Sequence, residues 1–368
     1  MSQTQLILNR VSKIEEEDFA IKDAPTAISL FSGAGGMDVG FSRGGFKVLW
    51  ANDIDKDSCE TYALNHGEVI KCGDLRSYFD ELESFKGVDL VFGGPPCQGF
   101  SVAGKMDPND ERSKLVFSFM DVVEKIKPRA FVMENVKALG ALEKWSEVRS
   151  ELLRKAHKLG YSFAQIIILN ATEFGVPQKR ERMFFIGIRD IDTSKFNLSS
   201  LLEKYKRSAP KVGEIIKELG IAGNPRNKRI CRAKITLASN PILRQSPYAG
   251  MMFNGAGRPI DPDGYSNTLP ASMGGNRTPI VDEAQIFNDK ASWIESYHSH
   301  LMTNGTAKYK EAPSFLRRIT VDEALRIQTF PKNYKFSGKQ NSIYKQIGNA
   351  VPCEMAHAVA LVVREMLS

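Results

Sequence analysis

The sequence predicts an α/β protein in which a smaller, loop-rich and mainly β domain is joined to a doubly wound, mostly parallel sheet. Three observations carry this prediction. Short apolar runs that end in polar residues or glycine alternate with stretches of helical spacing, which is the pattern of strands connected by helices. After residue 190, basic and turn residues multiply instead. Helical periodicity then returns near the C-terminus.

Each predicted strand is a short apolar run with a clear stop. The intervening stretches at 115–126 and 145–159 have helical spacing and are predicted to cover the sheet. In open parallel sheets, ligands bind beyond the carboxyl ends of the strands, so the polar stops mark the expected site. The predicted strands are 26–31, 47–53, 88–94, 129–136, 163–169 and 182–188.

The second half of the chain has a different composition. Residues 203–234 contain ten Lys or Arg against three Glu, and turn residues cluster between Pro241 and Pro279. These features predict loops between short strands. Thr320, followed three residues later by Glu323, predicts a capping box at the start of a helix. Residues 352–367 predict an amphipathic terminal helix.

Charge and cysteine usage narrow the class of protein. The net charge of +7 and the pI near 9.0 fit a polyanionic partner without requiring one. Five cysteines with no CxxC pair argue against a disulfide framework and favour a reducing compartment. We expect His298 and His300 to be exposed loop residues, and we expect no metal site. Without a signal peptide or an apolar span, the chain is expected to be soluble and cytoplasmic.

A glycine-rich loop follows the first predicted strand. The loop "FSGAGG", residues 31–36, permits close approach of a ligand to the backbone. Its glycine spacing departs from the dinucleotide fingerprint, and no phosphate-binding lysine follows it. Asp53 stands at the end of the second predicted strand, where it can bind ribose hydroxyls, and Asp74 stands in a further polar stop, "GDL" at 73–75, where it can accept from an exocyclic amine. Together these residues predict a site for a nucleoside cofactor that lacks a pyrophosphate.

One cysteine stands in an unusual setting. In "GGPPCQGFS", residues 93–101, two prolines fix the backbone before Cys97, and the flanking glycines allow sharp bends. The segment follows a predicted strand at its carboxyl end. Two interpretations stay open at this point: Cys97 is a nucleophile on a stiff loop, or it is a bystander in a tight turn.

Eight blocks, taken in order, resemble the DNA cytosine-5 methyltransferases. They are "LFSGAGGMDVGF", "NDID", "GDL", "GGPPCQGFS", "FVMENV", "PQKRERMFFIG", "RRITVDEALRIQTFP" and "QIGNAVP", and they run from residue 30 to 352. The resemblance implies methyl transfer from S-adenosylmethionine to carbon 5 of cytosine, with S-adenosylhomocysteine as product. It also implies a fold of the methyltransferase type with a target-recognition domain at 191–315. The catalytic domain would comprise 1–190 plus 344–368, with a hinge segment at 316–343.

The resemblance assigns a role to each residue at the expected cofactor site. The glycine loop would hold the methionine part of the cofactor, Asp53 the ribose and Asp74 the adenine amine. Ile54 would pack on adenine, where the family often has an aromatic residue. The implied cofactor set is Phe31, Ser32, Gly33, Ala34, Gly35, Gly36, Asp53, Ile54, Asp74, Leu75, Pro95, Leu115 and Asn349.

The implied catalytic residues meet the needs of the reaction. Carbon 5 of cytosine is a poor nucleophile until a thiolate adds to carbon 6, and Cys97 is expected to supply it. Glu134 would contact ring nitrogen 3 in protonated form, which burial favours. Arg182 would reach the oxygen at carbon 2, and Arg180 would support the thiol or its loop. Because attack comes from above and below the ring, the base must leave the duplex.

The expected DNA contacts lie on the Cys97 loop and in the recognition domain. Residues 98–113 are expected to close over the flipped base, and the basic stretch to contact phosphates. Thr268 belongs to a Thr-Leu pair that resembles the one marking the family's recognition region. Arginine pairs most often with guanine, which favours a site containing G·C pairs. The candidate DNA-binding residues are Gln98, Ser101, Lys105, Arg258, Thr268, Asn276 and Arg277.

Three alternatives are weighed against this interpretation. A tRNA cytosine-5 methyltransferase typically has "PPCQPFT" and a Cys-Phe-Thr signature, and this chain has neither. A catalytically inactive DNA-binding relative is disfavoured by intact Cys97, Glu134 and Arg182. A nicotinamide dehydrogenase is disfavoured by the glycine spacing. We expect a monomeric prokaryotic or viral enzyme at the nucleoid, either paired with a restriction endonuclease or solitary, with double-stranded DNA as partner.

Overall fold

The computed structural model describes residues 24–96, 115–304, 306–307 and 310–368. Within these ranges, the largest sheet has seven strands in the order β3-β2-β1-β4-β5-β8-β6. Strands β1 to β5 pair in parallel, while β8 runs antiparallel to β5 and β6. The strands along the chain are β1 Thr26–Leu30, β2 Lys47–Asp53, β3 Ile70–Cys72, β4 Leu90–Gly93, β5 Ala130–Val136, β6 Phe163–Asn170, β7 Gln178–Lys179 and β8 Glu181–Ile188.

This sheet confirms the predicted fold class and the six predicted strands. The three-residue strand β3 is an addition, since it is too short to show a periodic signal. The described helices are α1 Gly36–Arg43, α2 Lys56–His66, α3 Phe79–Leu82, α4 Leu115–Ile126, α5 Lys137–Ala141, α6 Ser146–Lys158, α7 Leu198–Glu203, α8 Val212–Leu219, α9 Glu283–Asn288, α10 Trp293–Asn304, α11 Val321–Ile327, α12 Gln340–Asn349 and α13 Cys353–Leu367.

Helices cover both faces of the sheet, as a doubly wound fold requires. On one face, Phe41 of α1 and Val359 of α13 pack in a cluster with Phe92 of β4. On the other face, Phe119 of α4 and Leu152 of α6 belong to a second buried cluster. Strand β4, "LVFG", is buried throughout because it is covered from both sides.

Helices α1 and α13 lie in unusually close contact. A Cβ atom added at Gly40 would lie 2.5 Å from Cβ of Ala356, and one at Gly44 would lie 2.6 Å from Cβ of Ala360. Glycine at these positions is therefore needed for the close approach of the two backbones. The end of the chain thus returns to the helix that follows β1, as the sequence predicts.

The second half of the chain contains short paired strands and more helix than predicted. Strand β9, Leu237–Ile242, pairs with β10, Met251–Phe253, and β12, Ile280–Asp282, pairs with β13, Leu316–Arg318, both antiparallel. The two-residue β11, Ser266–Asn267, runs parallel to β7.

Helices α8, α9 and α10 differ from the expectation of a mainly β region. They are short segments within a basic and loop-rich sequence, so tertiary packing rather than a long periodic pattern specifies them. His298 is a correction, because it lies in α10 rather than in an exposed loop. Its side chain is 7% exposed, and Nε2 lies 2.8 Å from the carbonyl oxygen of Arg244. His300 also lies in α10 but is exposed.

The boundary elements show how the halves meet. Leu198, Leu201 and Leu202 of α7 pack in the cluster that contains the sheet residues, although they follow residue 191. Helix α11 begins with the predicted capping box, since the Thr320 side chain accepts from the Glu323 N–H and the Glu323 side chain accepts from the Thr320 N–H. The division into domains remains a prediction. None of the described helices is long and apolar enough to cross a membrane.

Candidate active site

The glycine loop is attached to the end of the neighbouring strand. Phe31 has φ 53°, and Gly35 has φ 81°, left-handed values that let the chain turn immediately after β1. The Ser32 N–H donates to the carbonyl of Asn52 over 2.9 Å, and the Gly33 N–H donates to the Asp53 carboxylate over 2.8 Å. The loop therefore has its shape set by the carboxyl end of β2.

Asp53 and Ile54 present different chemistry at the same strand end. Asp53 also accepts from the Asp55 N–H over 2.8 Å. Burial raises the pKa of Asp53, while these backbone hydrogen bonds act against the increase. Ile54 is 72% exposed, which is unusual for a large apolar side chain. An acid beside an exposed apolar surface suits a ribose joined to an aromatic base.

Asp74 is bound by Arg76, a residue whose role carries no signal in the sequence pattern. Its carboxylate accepts from the guanidinium of Arg76, with Nη2 at 2.5 Å from Oδ2. Hydrogen bonds from the Arg76 side chain and backbone lower the pKa of Asp74 to about 2, so the group is a carboxylate at neutral pH. Leu75 beside it is buried. Asn52 connects the two strand ends, because its amide donates to the carbonyls of Lys71 and Gly73.

The C-terminal block, "QIGNAVP" at residues 346–352, lies against the glycine loop. A Cβ atom at Gly36 would lie 2.8 Å from the carbonyl oxygen of Val351 and 3.0 Å from Cβ of Ala350. Asn349, the preceding residue, ends α12 and is exposed. Leu115 begins α4 and is half-buried. The structure thus brings the end of the chain to the loop that follows its first strand.

Glu134 and Arg182 form a partly buried ion pair at the carboxyl end of β5. Nε of Arg182 lies 2.9 Å from Oε1 of Glu134. Glu134 pairs with Phe184 across the antiparallel ladder, so Arg182, two residues away, projects from the same face. Burial raises the pKa of Glu134 above its ordinary value, and Arg182 and Arg180 only partly oppose this. A buried carboxyl of this kind can hold a proton for transfer.

Arg180 connects the site to the end of the chain. The side chain is 2% exposed, and its guanidinium donates to the carbonyls of Leu269 at 3.4 Å and Gly348 at 3.1 Å. A further hydrogen bond of 3.4 Å reaches the carbonyl of Asn349. These contacts give Arg180 a positioning role toward the C-terminal block, and the expected support of the thiol stays a prediction.

The loop that carries the candidate nucleophile begins beside Glu134. The Asn135 amide donates to the carbonyl of Pro95 over 3.1 Å, and a Cβ atom at Gly94 would lie 3.1 Å from Oε2 of Glu134. Cys97, Gln98, Ser101 and Lys105 lie outside the described residues. Just before Cys97, the Pro95 carbonyl therefore accepts from Asn135, and Gly94 lies close to the Glu134 carboxyl group.

A buried amide chain was not predicted. Nε2 of Gln178 donates to Oε1 of Gln328 over 2.5 Å, and Nε2 of Gln328 donates to the carbonyl of Ala350. Oε1 of Gln178 accepts from the Leu269 N–H over 3.0 Å. Both glutamines lie in sequence blocks quoted for the resemblance, but only the fold reveals that they meet. These hydrogen-bonded amides connect four segments that are distant in sequence.

The candidate DNA-reading residues occupy two neighbouring areas. Thr268 is exposed beside β7, and its hydroxyl donates to the carbonyl of Lys179 over 2.8 Å. Arg258, Asn276 and Arg277 are exposed on two chain segments that hydrogen-bond to each other through their backbones. Arg258 also lines a cavity of about 700 Å³ together with Arg244 and Tyr248, among others. The structure thus places Thr268 beside β7 and places the other three residues on the paired segments around Arg258 and Arg277.

The fold and site define an α/β enzyme with its reactive groups along one sheet edge. A glycine loop, two acids and a buried carboxyl–guanidinium pair lie at the ends of β1, β2, β3 and β5. Among the described residues, no group of three or more His, Cys, Asp or Glu could hold a metal ion.

Comparison with known proteins identifies the family. The model for C-5 cytosine-specific DNA methylase matches residues 26–365. The type II methyltransferase M.FnuDI of Fusobacterium nucleatum is 32% identical over 352 residues, covering 93% of this chain and 94% of the relative. The type II methyltransferase M1.HphI of Haemophilus parahaemolyticus is 33% identical over 352 residues, covering 93% and 87%. The chain belongs to the C-5 cytosine-specific DNA methylases and is a DNA cytosine-5 methyltransferase of the restriction-modification type.

Solved structures support the same fold. The Dnmt2 methyltransferase of S. pombe superposes with a TM-score of 0.67 at 19% identity, covering 92% of this chain and 98% of that one. The methyltransferase EhMeth of Entamoeba histolytica gives a TM-score of 0.66 at 18% identity, covering 94% and 99%. At these identities the likeness concerns the fold alone.

Proposed function

We propose that this enzyme transfers a methyl group from S-adenosylmethionine to carbon 5 of a cytosine flipped out of duplex DNA, at one short recognition site. The single observation that carries the proposal is the Glu134–Arg182 ion pair. It combines an acid of raised pKa with a fixed cation, 2.9 Å apart, beside the residues that lead into the Cys97 loop. Family membership supports the reaction class.

The described residues fit the proposed methyl donor. A Cβ atom at Gly33 would have no neighbour within 4 Å, so the loop backbone is open to a ligand at this point. Asp53 would bind ribose hydroxyls, and Asp74 would exchange contacts with Arg76 for a contact with an amine donor. The exposed side chain of Ile54 offers an apolar surface for adenine. When bound, S-adenosylmethionine supplies an electrophilic methyl group on a sulfonium. Asn349, whose carbonyl accepts from Arg180, immediately precedes the residues that pack against Gly36 of the glycine loop.

The proposed chemistry begins with Cys97. Its thiolate adds to carbon 6 of the cytosine, and the electron pair displaced from the ring double bond is stabilised as nitrogen 3 takes a proton from Glu134. Carbon 5 becomes enamine-like and forms a new bond to the methyl group, whose bond to sulfur breaks. A base then removes the proton from carbon 5, and elimination releases the Cys97 thiolate. Nitrogen 3 returns its proton to Glu134, which restores the aromatic ring and the acid.

Arg182 has two proposed roles. It would donate to the oxygen at carbon 2 as negative charge develops on the ring. It also holds Glu134 in position through the ion pair. Because both side chains are mostly buried, water competes weakly for these hydrogen bonds. The buried Arg180 would hold the segments around Leu269 and Gly348 in position against its own strand segment through hydrogen bonds to their carbonyls.

The recognition region is proposed to read the site. Arg258, Asn276 and Arg277 are exposed and carry the donor and acceptor groups that base edges require. Gln98, Ser101 and Lys105 would contact the DNA backbone or fill the space left by the flipped base. The relatives named as type II methyltransferases support a role in protecting DNA, and we propose a cognate endonuclease as the functional partner.

Methylation of plasmid DNA in cells tests this function. The chain is expressed in a host without cytosine-5 methylation, and the plasmid is sequenced after bisulfite treatment. We expect protected cytosines at one short sequence with the wild-type protein and none with Cys97→Ser. Complete conversion of all cytosines in the presence of soluble, folded wild-type protein would contradict the proposal.

A further inference from the structure

Tyr334, from the C-terminal part of the chain, contacts the backbone of the glycine loop. Tyr334 follows α11 and is 7% exposed. Its hydroxyl donates to the carbonyl oxygen of Ala34 over 2.5 Å, a contact between residues 300 positions apart. Ala34 is itself 2% exposed and lies at the centre of the loop. A buried carbonyl without a donor would be costly, so this hydrogen bond stabilises one conformation of the loop.

His66, the last residue of α2, holds the tyrosine in place. Its Nε2 lies 2.9 Å from the Tyr334 hydroxyl. Because that hydroxyl uses its proton for Ala34, Nε2 must carry a hydrogen and donate to the phenol oxygen. Burial lowers the pKa of His66 to about 4, so the ring is neutral at pH 7 with a single N–H. The direction of both hydrogen bonds is thereby defined.

Gly35 of the glycine loop packs closely against the side chains of His66 and Tyr334. At Gly35, φ is 81°, and an added Cβ atom would lie 2.6 Å from Nε2 of His66 and 2.7 Å from the Tyr334 hydroxyl. The hydrogen bond to Ala34 and the packing against Gly35 thus act on adjacent residues. A different loop conformation would break one contact or both.

The tyrosine segment is also anchored to α2. The Asn65 side chain donates to the carbonyl of Lys335 over 2.7 Å and accepts from its N–H over 3.0 Å. The Ser337 N–H donates to the hydroxyl of Thr61 over 2.9 Å. Helix α2 begins three residues after Asp53, and the thiol of Cys59 in its first turn donates to the Asp53 carbonyl over 3.3 Å. The same helix therefore contacts both Asp53 and the Tyr334 segment.

We propose that Tyr334, oriented by His66, is a positioning residue for the methyl-donor site. Through its hydrogen bond to the carbonyl of Ala34, Tyr334 holds the glycine loop in the conformation that binds the methyl donor. The inference rests on the proposed use of this loop for S-adenosylmethionine. Tyr334 acts through the loop backbone and not on the cytosine. Its loss should therefore weaken binding of the methyl donor and leave the steps on DNA intact.

The test compares two buried tyrosines. Tyr334→Phe removes the hydroxyl that reaches Ala34, while Tyr344→Phe removes one that donates to the carbonyl of Ile319 over 2.6 Å, away from the loop. For Tyr334→Phe we expect the KM for S-adenosylmethionine to rise about tenfold, with kcat and the KM for DNA within about twofold of wild type. Tyr344→Phe should leave all three constants within about twofold.

Direct binding separates failure of this inference from failure of the proposed function. The Kd for S-adenosylhomocysteine is measured by calorimetry, together with the unfolding temperature. Wild-type protein that methylates DNA, combined with an unchanged Kd in Tyr334→Phe, would overturn the inference and leave the function standing. A lower unfolding temperature with an unchanged KM would show a purely structural role and overturn it as well.

A second variant keeps the test decisive if Tyr334→Phe does not fold. His66→Ala removes the donor that orients the phenol but leaves the Ala34 hydrogen bond chemically available. We expect the KM for S-adenosylmethionine to rise by about threefold to fivefold, again with kcat within about twofold of wild type. An unchanged KM in folded His66→Ala would contradict the proposal. If wild type binds no S-adenosylhomocysteine, the proposed function itself fails.

Discussion

Glu134 shows how a single side chain acquires its chemistry from its surroundings. Burial raises its pKa, and the neighbouring arginines pull it back only in part. Glu134→Gln keeps the shape but removes the transferable proton, so we expect kcat to fall by about a hundredfold to a thousandfold. The matched control is Glu181→Gln on the neighbouring strand β8, where the Glu181 carboxylate pairs with Lys137 at the surface. Radiolabelled methyl transfer measures both, and equal losses would contradict the proposed role of Glu134.

Asp38 gives a pH dependence at the residue scale. It is fully buried in α1 and accepts from the Tyr62 hydroxyl over 2.8 Å. Burial raises its pKa from 3.8 to about 6. The folded state therefore binds this proton more tightly than the unfolded state, and the free energy of unfolding falls as pH rises from about 4 to about 6.

Asp38→Asn should remove that dependence. Relative to wild type, the variant should gain roughly 3 kcal/mol in the free energy of unfolding between pH 4 and pH 7, because each pKa unit corresponds to about 1.36 kcal/mol. Urea unfolding at a series of pH values measures the difference. Curves for variant and wild type that stay parallel across this range would contradict the assignment.

Some site residues are predictable from sequence at this scale and others are not. Asp53, Asp74, Glu134 and Arg182 stand in short blocks at strand ends, where position in the pattern indicates a role. Tyr334, His66 and Arg76 carry no such signal. Tyr334 reaches its partner across 300 positions, and nothing in the local sequence indicates which carbonyl a buried phenol will find.

The contact between α1 and α13 is the clearest feature at the scale of elements. It depends on glycine at position 40, where an added Cβ atom would lie 2.5 Å from Cβ of Ala356 and 2.6 Å from the backbone nitrogen of His357. Gly40→Ala should separate the helices and lower the free energy of unfolding by about 1–3 kcal/mol, the usual cost of overpacking.

Gly275→Ala is the control for this substitution. An added Cβ atom at Gly275 would have no neighbour within 4 Å. Its free energy of unfolding should stay within about 0.5 kcal/mol of wild type. If the two variants unfold at the same urea concentration, the helix contact is not as tight as described.

Strands and helices with a long periodic pattern of apolar residues could be predicted from the sequence, and short ones could not. The buried strands and the helices α4, α6 and α13 have long apolar patterns, and the structure confirms them. Strand β3 has three residues and α9 has six, which is too short for a periodicity to stand out. Their formation depends on partners elsewhere in the fold.

At the scale of the whole molecule, several basic side chains of residues 203–234 form ion pairs within the protein. Lys204 pairs with Glu365, Arg207 with Glu354 and Arg229 with Asp322. Part of the basic stretch therefore connects segments of this chain to each other, and its expected phosphate contacts stay a prediction. The sequence shows the excess of positive charge in residues 203–234, but it does not show which carboxylates pair with these lysines and arginines.

The order of the strands and the return of the chain end also belong to this scale. The resemblance implies that the last block joins the first strand, and the contacts of Gly36 with Ala350 and Val351 agree. The links made by Arg180 and by Gln178 to the C-terminal part could not be inferred from sequence, since they form only when segments distant in sequence are packed together.

The central claim is that Cys97 forms a covalent bond with carbon 6 of the target cytosine. It is tested most directly with duplex DNA that carries 5-fluorocytosine at the recognition site. Fluorine replaces the proton whose removal allows elimination, so the adduct should persist after methyl transfer. We predict a denaturation-resistant protein–DNA complex whose peptide map places the link at Cys97, formed only when S-adenosylmethionine is present and absent in Cys97→Ser. A wild-type enzyme that methylates ordinary DNA but forms no such complex, or one linked through another residue, would contradict the account.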